Sequence, residues 1–474
     1  MVQFVPGQHI HLVGIGGFGM SAIARVLLQQ GYYITGSDRH ANAFTQALEK
    51  EGARVYIGHN AQHVMGAEMV IATSAVPHDH EELAMARALG IPTYRRADVM
   101  AAMMSGQTGI AVAGTHGKTT TTAMITHILI ETGQDPSYII GGILRNTGRN
   151  GGTGKGRAIV VEADEYDNMF HGLRPQVAVV TSVEYDHPDF FTTPGDMMKS
   201  FAQFVALLPE DGLLVACADD PTAMILAQNR AVAGLPVVTY GIDNPLAGWQ
   251  AANIGLDENR LTRFDVLREG EKVGTARLIP PGRHNVLNAL AALVVADHQG
   301  IPFQEAARAL VAFQGTGRRF ELRGEVGSVA VIDDYAHHPT AIKVTLEAAR
   351  QRFPDRALWA VWQPHTYSRT QALLEDYIEA FDAADHVLVT DIYAARETLA
   401  EFSSADVAGM MQHPDARHSG SQSDTTRLLD AEVQAPAVIV IMSAGDAPLV
   451  GVNFLKLRQT RQGKTDEPPQ DAVG

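Results

Sequence analysis

The sequence predicts an α/β protein of three domains with mostly parallel sheets. Short apolar runs that are typical of strands alternate with longer segments of helical periodicity along most of the chain. Glycine-rich turns at 14–19 and 114–117 each follow such a strand and precede a helix. Turns in this position bind phosphate groups, because backbone N–H groups and the helix dipole both face the anion. The repeated pattern therefore indicates a nucleotide-binding protein.

Length, composition and charge limit the class of protein further. The 474 residues are enough for roughly two to four domains, and 46% apolar with 19% charged residues is typical of a globular chain. No apolar stretch approaches the ~18 residues that span a membrane, and residues 1–7 lack the features of a signal peptide. With Cys217 as the single cysteine, we expect a cytoplasmic protein. A net charge of −16 without a long basic run argues against nucleic-acid binding.

The first domain is predicted to span residues 1–106 and to be Rossmann-like. A strand runs into the pattern G-x-G-x-x-G at 14–19, a helix follows from about residue 20 to 30, and a second strand ends at Asp38. An acidic residue at this distance is suited to a ribose hydroxyl. These residues predict a site for a dinucleotide or a nucleoside diphosphate.

The second domain, residues 107–315, is predicted to resemble a P-loop ATPase with a mostly parallel sheet. From its glycine loop, Lys118 can reach the terminal phosphates of a nucleotide, and Thr119 or Thr120 can ligate its magnesium. The strict pattern G-x-x-x-x-G-K-[ST] is not met, because Val112 stands at the first glycine. A threonine-rich helix start that binds nothing is the alternative. The strand before the loop and the helix after it favour a phosphate site.

Acidic side chains follow the next buried strand of this domain. Four acids, Glu162, Asp164, Glu165 and Asp167, lie within six residues and would repel one another without a cation. We therefore expect at least one of them to bind magnesium, although capping of the next element is the alternative. His187 follows another strand, where a histidine is more often a structural hydrogen-bonding residue than a ligand.

The third domain is predicted to cover residues 316–462 and to be Rossmann-like, because strands and helices alternate again. Its candidate functional residues are Arg319, Asp334, His337 and Arg369. An arginine at a helix start can bind a carboxylate or a phosphate through two parallel hydrogen bonds, but each candidate could equally be a surface residue. The polar tail 463–474 is predicted to be disordered.

Taken together, the motifs resemble those of the Mur ligases, in the same order from residue 9 to about residue 450. The blocks that carry the resemblance are Gly14-Ile-Gly-Gly-Phe-Gly-Met-Ser21, Gly114-Thr-His-Gly-Lys-Thr-Thr120, Glu162-Ala-Asp-Glu165, Asp186-His187, His284-Asn285, Arg318-Arg319-Phe320, Asp334-Tyr-Ala-His-His-Pro339 and Pro364-His-Thr-Tyr-Ser-Arg-Thr370. The nearest branch adds L-alanine to UDP-N-acetylmuramate. The resemblance implies a domain for the UDP-sugar, an ATPase domain and a domain for the amino acid. It also implies an acyl phosphate, formed when the lactoyl carboxylate attacks the γ-phosphate of ATP.

The resemblance also implies roles for individual residues. Those implied to bind ATP are Gly114, Thr115, His116, Gly117, Lys118, Thr119, Thr120, Asn285, Arg319 and Asp334. Those implied to bind the UDP-sugar are Gly14, Gly16, Gly17, Phe18, Gly19, Met20, Ser21, Asp38, Ser74 and Ala75. Tyr335, His337 and Arg369 are implied to line the amino-acid pocket, and Thr119, Glu162 and His187 to ligate Mg²⁺. The catalytic residues so implied are Lys118, Glu162, His187, His337 and Arg369. Many relatives have an arginine at Thr366, so this pocket differs here.

Three other functions are compatible with parts of the sequence. Within the family, a recycling ligase joins a preformed tripeptide to the same sugar, but its N-terminal glycine loop differs from the one here. An NAD-dependent dehydrogenase would explain the first glycine loop and Asp38, yet it leaves the second loop and Glu162 unexplained. A non-catalytic nucleotide-regulated protein predicts the loss of Lys118 or of the strand-end acids, and both are present. The sequence leaves open whether the chain is a monomer or a homodimer.

Overall fold

The computed structural model describes residues 2–395, 397–398 and 401–465. Contacts divide the chain into two compact units. The first unit contains the chain up to Tyr185, Phe190–Ile279 and Asn285–Gly317. The second contains Asp186–Asp189, Pro280–His284 and the chain from Arg318 onward.

The first unit contains two sheets. Its strands are β1 His9–Val13, β2 Tyr33–Asp38, β3 Arg54–Ile57, β4 Met69–Ala72, β5 Thr93–Arg95, β6 Thr108–Ala113, β7 Ser137–Leu144, β8 Arg149–Gly152, β9 Ala158–Glu162, β10 Val177–Val180, β11 Leu213–Cys217, β12 Val237–Gly241, β13 Trp249–Leu256, β14 Thr262–Arg268 and β15 Glu271–Leu278. Its α-helices are α1 Phe18–Gln29, α2 Ala43–Lys50, α3 Glu81–Ala88, α4 Arg96–Met103, α5 Lys118–Glu131, α6 Pro194–Val205, α7 Pro221–Val232, α8 Arg283–His298 and α9 Phe303–Val311, although the first two residues of α8 are grouped with the second unit. Short 3₁₀ helices lie at Ala61–Val64 and Tyr166–Gly172.

The smaller sheet of this unit is entirely parallel, in the order β3-β2-β1-β4-β5. The larger sheet has the order β15-β14-β13-β12-β11-β10-β6-β9-β7-β8. Its middle strands from β7 to β13 are parallel, while β8, β14 and β15 pair in antiparallel fashion. β6 lies between β9 and β10, so the carboxyl ends of these three strands meet at one edge. This edge is where parallel sheets bind ligands.

Helix α1 joins the two sheets of the first unit. Eight consecutive residues of α1, from Met20 to Leu27, are buried, because the helix packs on its own sheet and also on β7 and β8. The Asn150 amide donates to the Ser21 hydroxyl at 2.9 Å and to the Phe18 carbonyl at 2.8 Å. A Cβ at Gly151 would lie 2.8 Å from the Ala22 carbonyl oxygen, so glycine is required for this close approach. One hydrophobic core therefore serves both sheets.

The second unit contains one sheet, in the order β16-β17-β21-β18-β19-β20. Its elements are β16 Glu321–Val326, β17 Val329–Asp334, α10 Pro339–Arg352, β18 Ala357–Trp362, α11 Tyr367–Ala372, α12 Leu374–Ile378, β19 His386–Thr390, α13 Ser404–Met410, β20 Ala416–Gly420, α14 Gln422–Glu432, β21 Ala437–Met442 and α15 Pro448–Thr465. β16 is antiparallel to β17, and the other neighbours are parallel. The buried apolar strands β17, β18 and β21 form its centre.

The predicted fold class is confirmed: the chain is α/β with three mostly parallel sheets. The domain limits 1–106, 107–315 and 316–462 stay predictions, since contacts group the first two sheets in one unit. α15 continues to Thr465, and residues 466–474 of the predicted disordered tail lie outside the described residues. Within the part of the chain that the structure describes, no helix is both long and apolar enough to cross a membrane.

Candidate active site

The second glycine loop joins β6 to α5 in a conformation that requires glycine at both ends. Gly114 has φ +140° and Gly117 has φ +79°. A Cβ at Gly114 would lie 2.0 Å from Thr181 Oγ1, and one at Gly117 would lie 2.4 Å from Asn288 Oδ1. The loop therefore cannot accept larger residues at these positions without moving. It ends at the N-terminus of a fourteen-residue helix, where backbone N–H groups face an anion.

Lys118, the first residue of α5, forms a buried ion pair. Its ammonium lies 2.8 Å from Oε1 of Glu165 and also donates to the Gly114 and Thr115 carbonyl groups. Burial lowers the pKa of Lys118, but Glu165 and two further acids outweigh this effect, so the pKa is raised. The ammonium is thus a fixed positive charge at the loop, as phosphoryl transfer requires.

Thr119 and Glu162 present oxygen atoms side by side at the strand edge. The Thr119 hydroxyl donates to Glu162 Oε1 at 3.0 Å, and the Gly141 N–H donates to Oε2 at 2.7 Å. Hydroxyl and carboxylate oxygens are the ligands that Mg²⁺ prefers, so this pair fits the ion that a bound nucleotide brings. Among the other acids, Asp164 accepts the Tyr166 N–H at 3.2 Å, which agrees with the capping alternative for that residue.

Helix α8 supports the loop through two asparagines. The Thr121 hydroxyl donates to Asn288 Oδ1 at 3.1 Å, and the Asn288 amide donates to Asn285 Oδ1 at 3.3 Å. The structure therefore brings Asn285 into the same network as α5. Another loop residue, His116, contacts Glu184 through Nε2 at 2.7 Å. The assignments of these residues to ATP stay predictions.

In the second unit, Arg369 is held by an acid that the sequence analysis did not single out. Arg369 is 5% exposed, and its Nε donates to Asp186 Oδ1 at 2.8 Å. Its Nη2 lies 3.1 Å from His187 Nδ1, which must accept because a guanidinium has only donors. Burial raises the pKa of Asp186, but His187 and Arg369 hold it well below its ordinary value. The only sequence signal for Asp186 was its place beside His187 at a strand end.

The metal-ligand and amino-acid roles of these two residues stay predictions. Because Nδ1 of His187 accepts from Arg369, the neutral ring carries its proton on Nε2, and binding of a metal by this ring would require the contact with Arg369 to break. Thr366, where an arginine was expected from the resemblance, caps α11 through its hydroxyl at φ +65°. This capping role was not foreseen from the sequence.

The loop after β17 brings the remaining candidates together. Both oxygens of Asp334 accept backbone N–H groups, from Phe320 and Ala336, each at 2.7 Å. Burial raises the pKa of Asp334, while Arg319 acts in the opposite direction. The Arg319 guanidinium also lies over the Tyr335 ring, 5.0 Å from its centroid. The structure thus groups these predicted residues, and their contacts to nucleotide or amino acid stay predictions.

His337 follows in the same loop. Its Nδ1 donates to the Tyr335 carbonyl at 2.9 Å, since a carbonyl only accepts. The Tyr377 hydroxyl donates to the His337 carbonyl at 2.6 Å. Burial and the nearby Arg369 charge lower the pKa of His337 well below its ordinary value, so the ring is neutral with Nε2 as an acceptor.

The first glycine loop is fastened to the end of β2. The N–H groups of Gly14 and Ile15 donate to the Ser37 carbonyl at 2.8 and 3.1 Å. Asp38 accepts the Gly16 N–H at 2.8 Å, so the predicted ribose ligand also holds the loop. A Cβ at Gly16 would lie 2.7 Å from Asn42 Nδ2, which explains the small residue.

The other predicted UDP-sugar residues fall into two groups. Phe18 is partly exposed at the start of α1, and Ser74 and Ala75 are exposed in the turn after β4. Met20 and Ser21 are buried, and the Ser21 hydroxyl donates to the Phe18 carbonyl at 3.0 Å. Gly17 is the N-cap of α1, and Gly19 is the second residue of this helix. All these assignments stay predictions, and Met20 and Ser21 have structural roles in this arrangement.

Comparisons with known proteins agree with this architecture. Three family models match in order: the catalytic domain of the Mur ligase family at residues 9–108, the Mur ligase middle domain at 112–296 and the Mur ligase glutamate ligase domain at 318–445. A UDP-N-acetylmuramate–L-alanine ligase of Caldanaerobacter subterraneus subsp. tengcongensis is 41% identical, covering 95% of this chain and 97% of the relative. The chain belongs to the Mur ligase family.

Other members of the Mur ligase family are similar over the same length. A UDP-N-acetylmuramate–L-alanine ligase of Roseiflexus sp. is 42% identical, covering 94% of this chain and 98% of that protein. The crystal structure of the UDP-N-acetylmuramate-alanine ligase of Thermotoga maritima matches with a TM-score of 0.81 at 27% identity, covering 96% and 99%. The murein peptide ligase of Psychrobacter arcticus 273-4 matches with a TM-score of 0.71 at 27% identity, covering 95% and 99%. The predicted family is confirmed, and membership in it excludes the dehydrogenase alternative.

Proposed function

We propose that this Mur ligase joins L-alanine to the lactoyl carboxylate of UDP-N-acetylmuramate, with ATP converted to ADP and phosphate, in the synthesis of peptidoglycan precursors. The observation that carries this proposal is identity of about 40% over nearly the whole chain to ligases named for that reaction. The tripeptide-adding alternative is supported less, because two structures named as peptide ligases match with TM-scores of 0.71 and 0.59, below the 0.81 of the alanine ligase. The cytoplasmic location stays a prediction.

The first chemical step is transfer of the γ-phosphoryl group to the sugar carboxylate. A carboxylate oxygen forms a bond to the γ-phosphorus, the bond from phosphorus to the ADP oxygen breaks, and an acyl phosphate results. Lys118 would neutralise charge on the migrating group, and the loop N–H groups would position the phosphates. Magnesium supplies further neutralisation of phosphate charge when bound, and Thr119 and Glu162 are the residues that would hold it.

The second step is attack of the amine of L-alanine on the acyl carbon. The new C–N bond forms a tetrahedral intermediate, the C–O bond to phosphate then breaks, and the amine loses a proton. Arg369 would face the amino-acid carboxylate, and His337 would offer Nε2 as a hydrogen-bond acceptor to the amine. Asp186 fixes the guanidinium of Arg369 in place.

A phosphate-release assay tests the proposed function. The purified chain is given ATP, magnesium and UDP-N-acetylmuramate with L-alanine, glycine, L-serine or the tripeptide, each in turn. We expect the highest kcat/KM with L-alanine and no sustained release when the sugar is omitted. A higher kcat/KM with the tripeptide would instead assign the chain to the recycling reaction.

A further inference from the structure

A buried acid in the first unit has no part in the chemistry described so far. Glu82 of α3 is 0% exposed and lies over the face of the smaller sheet opposite α1. Five groups contact its carboxylate between 2.6 and 3.3 Å. They are His11 Nε2 and the Ser37 hydroxyl at Oε2, and His59 Nδ1, His63 Nδ1 and the Asn60 N–H at Oε1.

These contacts show that the Glu82 carboxylate is ionised. Burial raises its pKa, but the hydrogen bonds from His11 and Ser37 outweigh this effect and lower the pKa to about 2. An ionised carboxylate only accepts, so each histidine nitrogen facing it carries a proton. Among the described residues, further charged or titratable groups surround the cluster: His9 on β1, Tyr33 on β2, Arg39 after β2, Arg54 and Tyr56 on β3, Glu68 before β4, and His80 and Glu81 at the start of α3.

A chain of hydrogen bonds continues from Glu82 to the sheet edge. His11 Nδ1 lies 2.8 Å from the Thr35 hydroxyl, which lies 2.9 Å from His9 Nε2, and His9 Nδ1 lies 2.7 Å from the Gly66 carbonyl. The two ends of this chain, a carboxylate and a carbonyl, are acceptors only. The four contacts therefore need four protons.

The neutral side chains supply one proton too few. His9 and His11 in their neutral forms carry one each, and the Thr35 hydroxyl carries one. Full hydrogen bonding thus requires one extra proton, which makes either His9 or His11 a cation in the chain that ends at the Glu82 carboxylate. Burial lowers the pKa of His11 more than Glu82 raises it, and His9 lies at the partly exposed end of the chain of hydrogen bonds.

The cluster is connected to the first glycine loop through Ser37. The Ser37 side chain donates to Glu82 at 2.6 Å, and the Ser37 carbonyl accepts the N–H groups of Gly14 and Ile15. The next residue, Asp38, holds the Gly16 N–H. The conformation of the loop thus depends on where the end of β2 is held. The Glu82 carboxylate fixes that end from the opposite side of the strand.

We propose that Glu82 is a positioning residue for the UDP-sugar loop, and that it holds the loop fully only while the chain from His9 to Glu82 keeps its extra proton. This inference rests on the proposed function for the identity of the ligand. On this proposal, the pH dependence of UDP-sugar binding arises from the histidines of the smaller sheet and not from groups at the ATP loop. As pH rises and the extra proton is lost, one of the two hydrogen bonds at the Thr35 hydroxyl, two residues before Ser37 on β2, is lost, and affinity falls.

Calorimetric titration of the full chain with UDP-N-acetylmuramate tests the proposal, with Glu82→Gln and its matched control Glu81→Gln. Glu81 is the exposed neighbour on the same helix, so both variants remove one negative charge. We expect Glu82→Gln to raise the Kd and the KM for the UDP-sugar by roughly tenfold to a hundredfold. The KM values for ATP and L-alanine, and kcat at saturation, should stay within about twofold. Glu81→Gln should match the wild type.

His9→Gln provides a second variant, because its site is partly exposed and glutamine keeps a donor without titrating. Between about pH 6 and pH 8.5, the Kd of the wild type should rise roughly threefold to tenfold, and that of His9→Gln should stay flat. A wild-type Kd that does not change with pH, or the same pH profile in His9→Gln, would overturn the proton requirement. Unchanged affinity in folded Glu82→Gln would overturn the positioning role. Failure of the wild type to bind the UDP-sugar at all would instead contradict the proposed function.

Discussion

Lys118 and Glu165 form an ion pair at the phosphate loop, with Nζ 2.8 Å from Oε1 and the acid 1% exposed. A phosphate that enters the loop competes with Glu165 for the same ammonium. The pair therefore keeps the lysine charged and in position before the nucleotide arrives. Removing either partner leaves a buried charge without its counterion, which costs about 3–5 kcal/mol.

Lys118→Ala should lower kcat by roughly a hundredfold or more, since one fixed charge on the migrating phosphoryl group contributes about 3 kcal/mol. Lys118→Ala also leaves the buried Glu165 carboxylate without its counterion. The double variant Lys118→Met with Glu165→Gln removes both charges of the pair and therefore separates this loss of stability from the loss of activity. The double variant should regain thermal stability and remain inactive. Lys155→Ala, at an exposed site, is the control. Near-normal turnover of the folded double variant at saturating ATP would contradict the role of Lys118.

The two ends of α5 offer a matched pair of glycines. Gly117 and Gly133 have φ values of +79° and +73°, so alanine at either should cost about 1–2 kcal/mol in backbone strain. A Cβ at Gly133 would have no atom of the described residues within 4 Å, whereas one at Gly117 would lie 2.4 Å from Asn288 Oδ1. We expect Gly117→Ala alone to raise the KM for ATP, by about tenfold or more, because the loop must move. Equal KM values in steady-state kinetics of the two variants would contradict this account.

Arg369→Ala should raise the KM for L-alanine by about tenfold to a hundredfold, through loss of a charge-assisted pair worth roughly 1.5–3 kcal/mol. The KM for ATP should change little. Arg369→Ala with Asp186→Asn removes the unpaired buried acid, and should recover stability without recovering the KM. Arg350→Ala, which breaks a more exposed ion pair of the same unit, is the control. Equal effects on the two KM values would mean that Arg369 does not bind the amino acid.

Asp333→Asn should stabilise the protein above about pH 6. Asp333 is 2% exposed, and burial raises its pKa to about 6, although Arg318 and Arg323 act in the opposite direction. A raised carboxyl pKa means that the folded chain binds more protons, so the wild type loses stability as pH rises from about 4 through 6. The difference between about 3.9 in the unfolded chain and about 6 corresponds to at most ~3 kcal/mol. Calorimetry should give a higher Tm for Asp333→Asn than for the wild type at pH 8, and nearly equal Tm values for the two proteins at pH 4. A constant difference would refute the assignment.

The alternation of apolar strands and helices was sufficient to predict three mostly parallel sheets, because buried parallel strands are nearly continuous apolar runs. The antiparallel strands β14 and β15 were missed, since polar and apolar residues alternate along them. A signal was present: Glu269 and Gly270 form a two-residue turn, both with positive φ, which is typical of a hairpin. Sequence patterns on single strands do not reveal which of them will pair.

In the candidate site, likewise, contacts within one short segment were predictable from the sequence, and contacts between distant segments were not. Spacing along the chain placed Lys118 beside a phosphate loop, because both lie within one strand–turn–helix segment. It did not reveal that Asp186 holds Arg369, since the two are 183 residues apart in sequence. Likewise, Asp38 was identified at the end of β2, but its hydrogen bond to Gly16 depends on how the loop folds back.

The burial of α1 from both sides has a consequence for how this enzyme could be rebuilt. A fragment ending near residue 105 would expose the face of α1 that packs on β7 and β8. Exchanging the first sheet for that of a relative would likewise place foreign side chains against Asn150 and Gly151. A chimera should therefore carry the β7–β8 hairpin along with the sheet it supports. The shared core therefore determines the smallest segment that can be exchanged between relatives. This segment extends past the predicted domain limit at residue 106, because it includes β7 and β8.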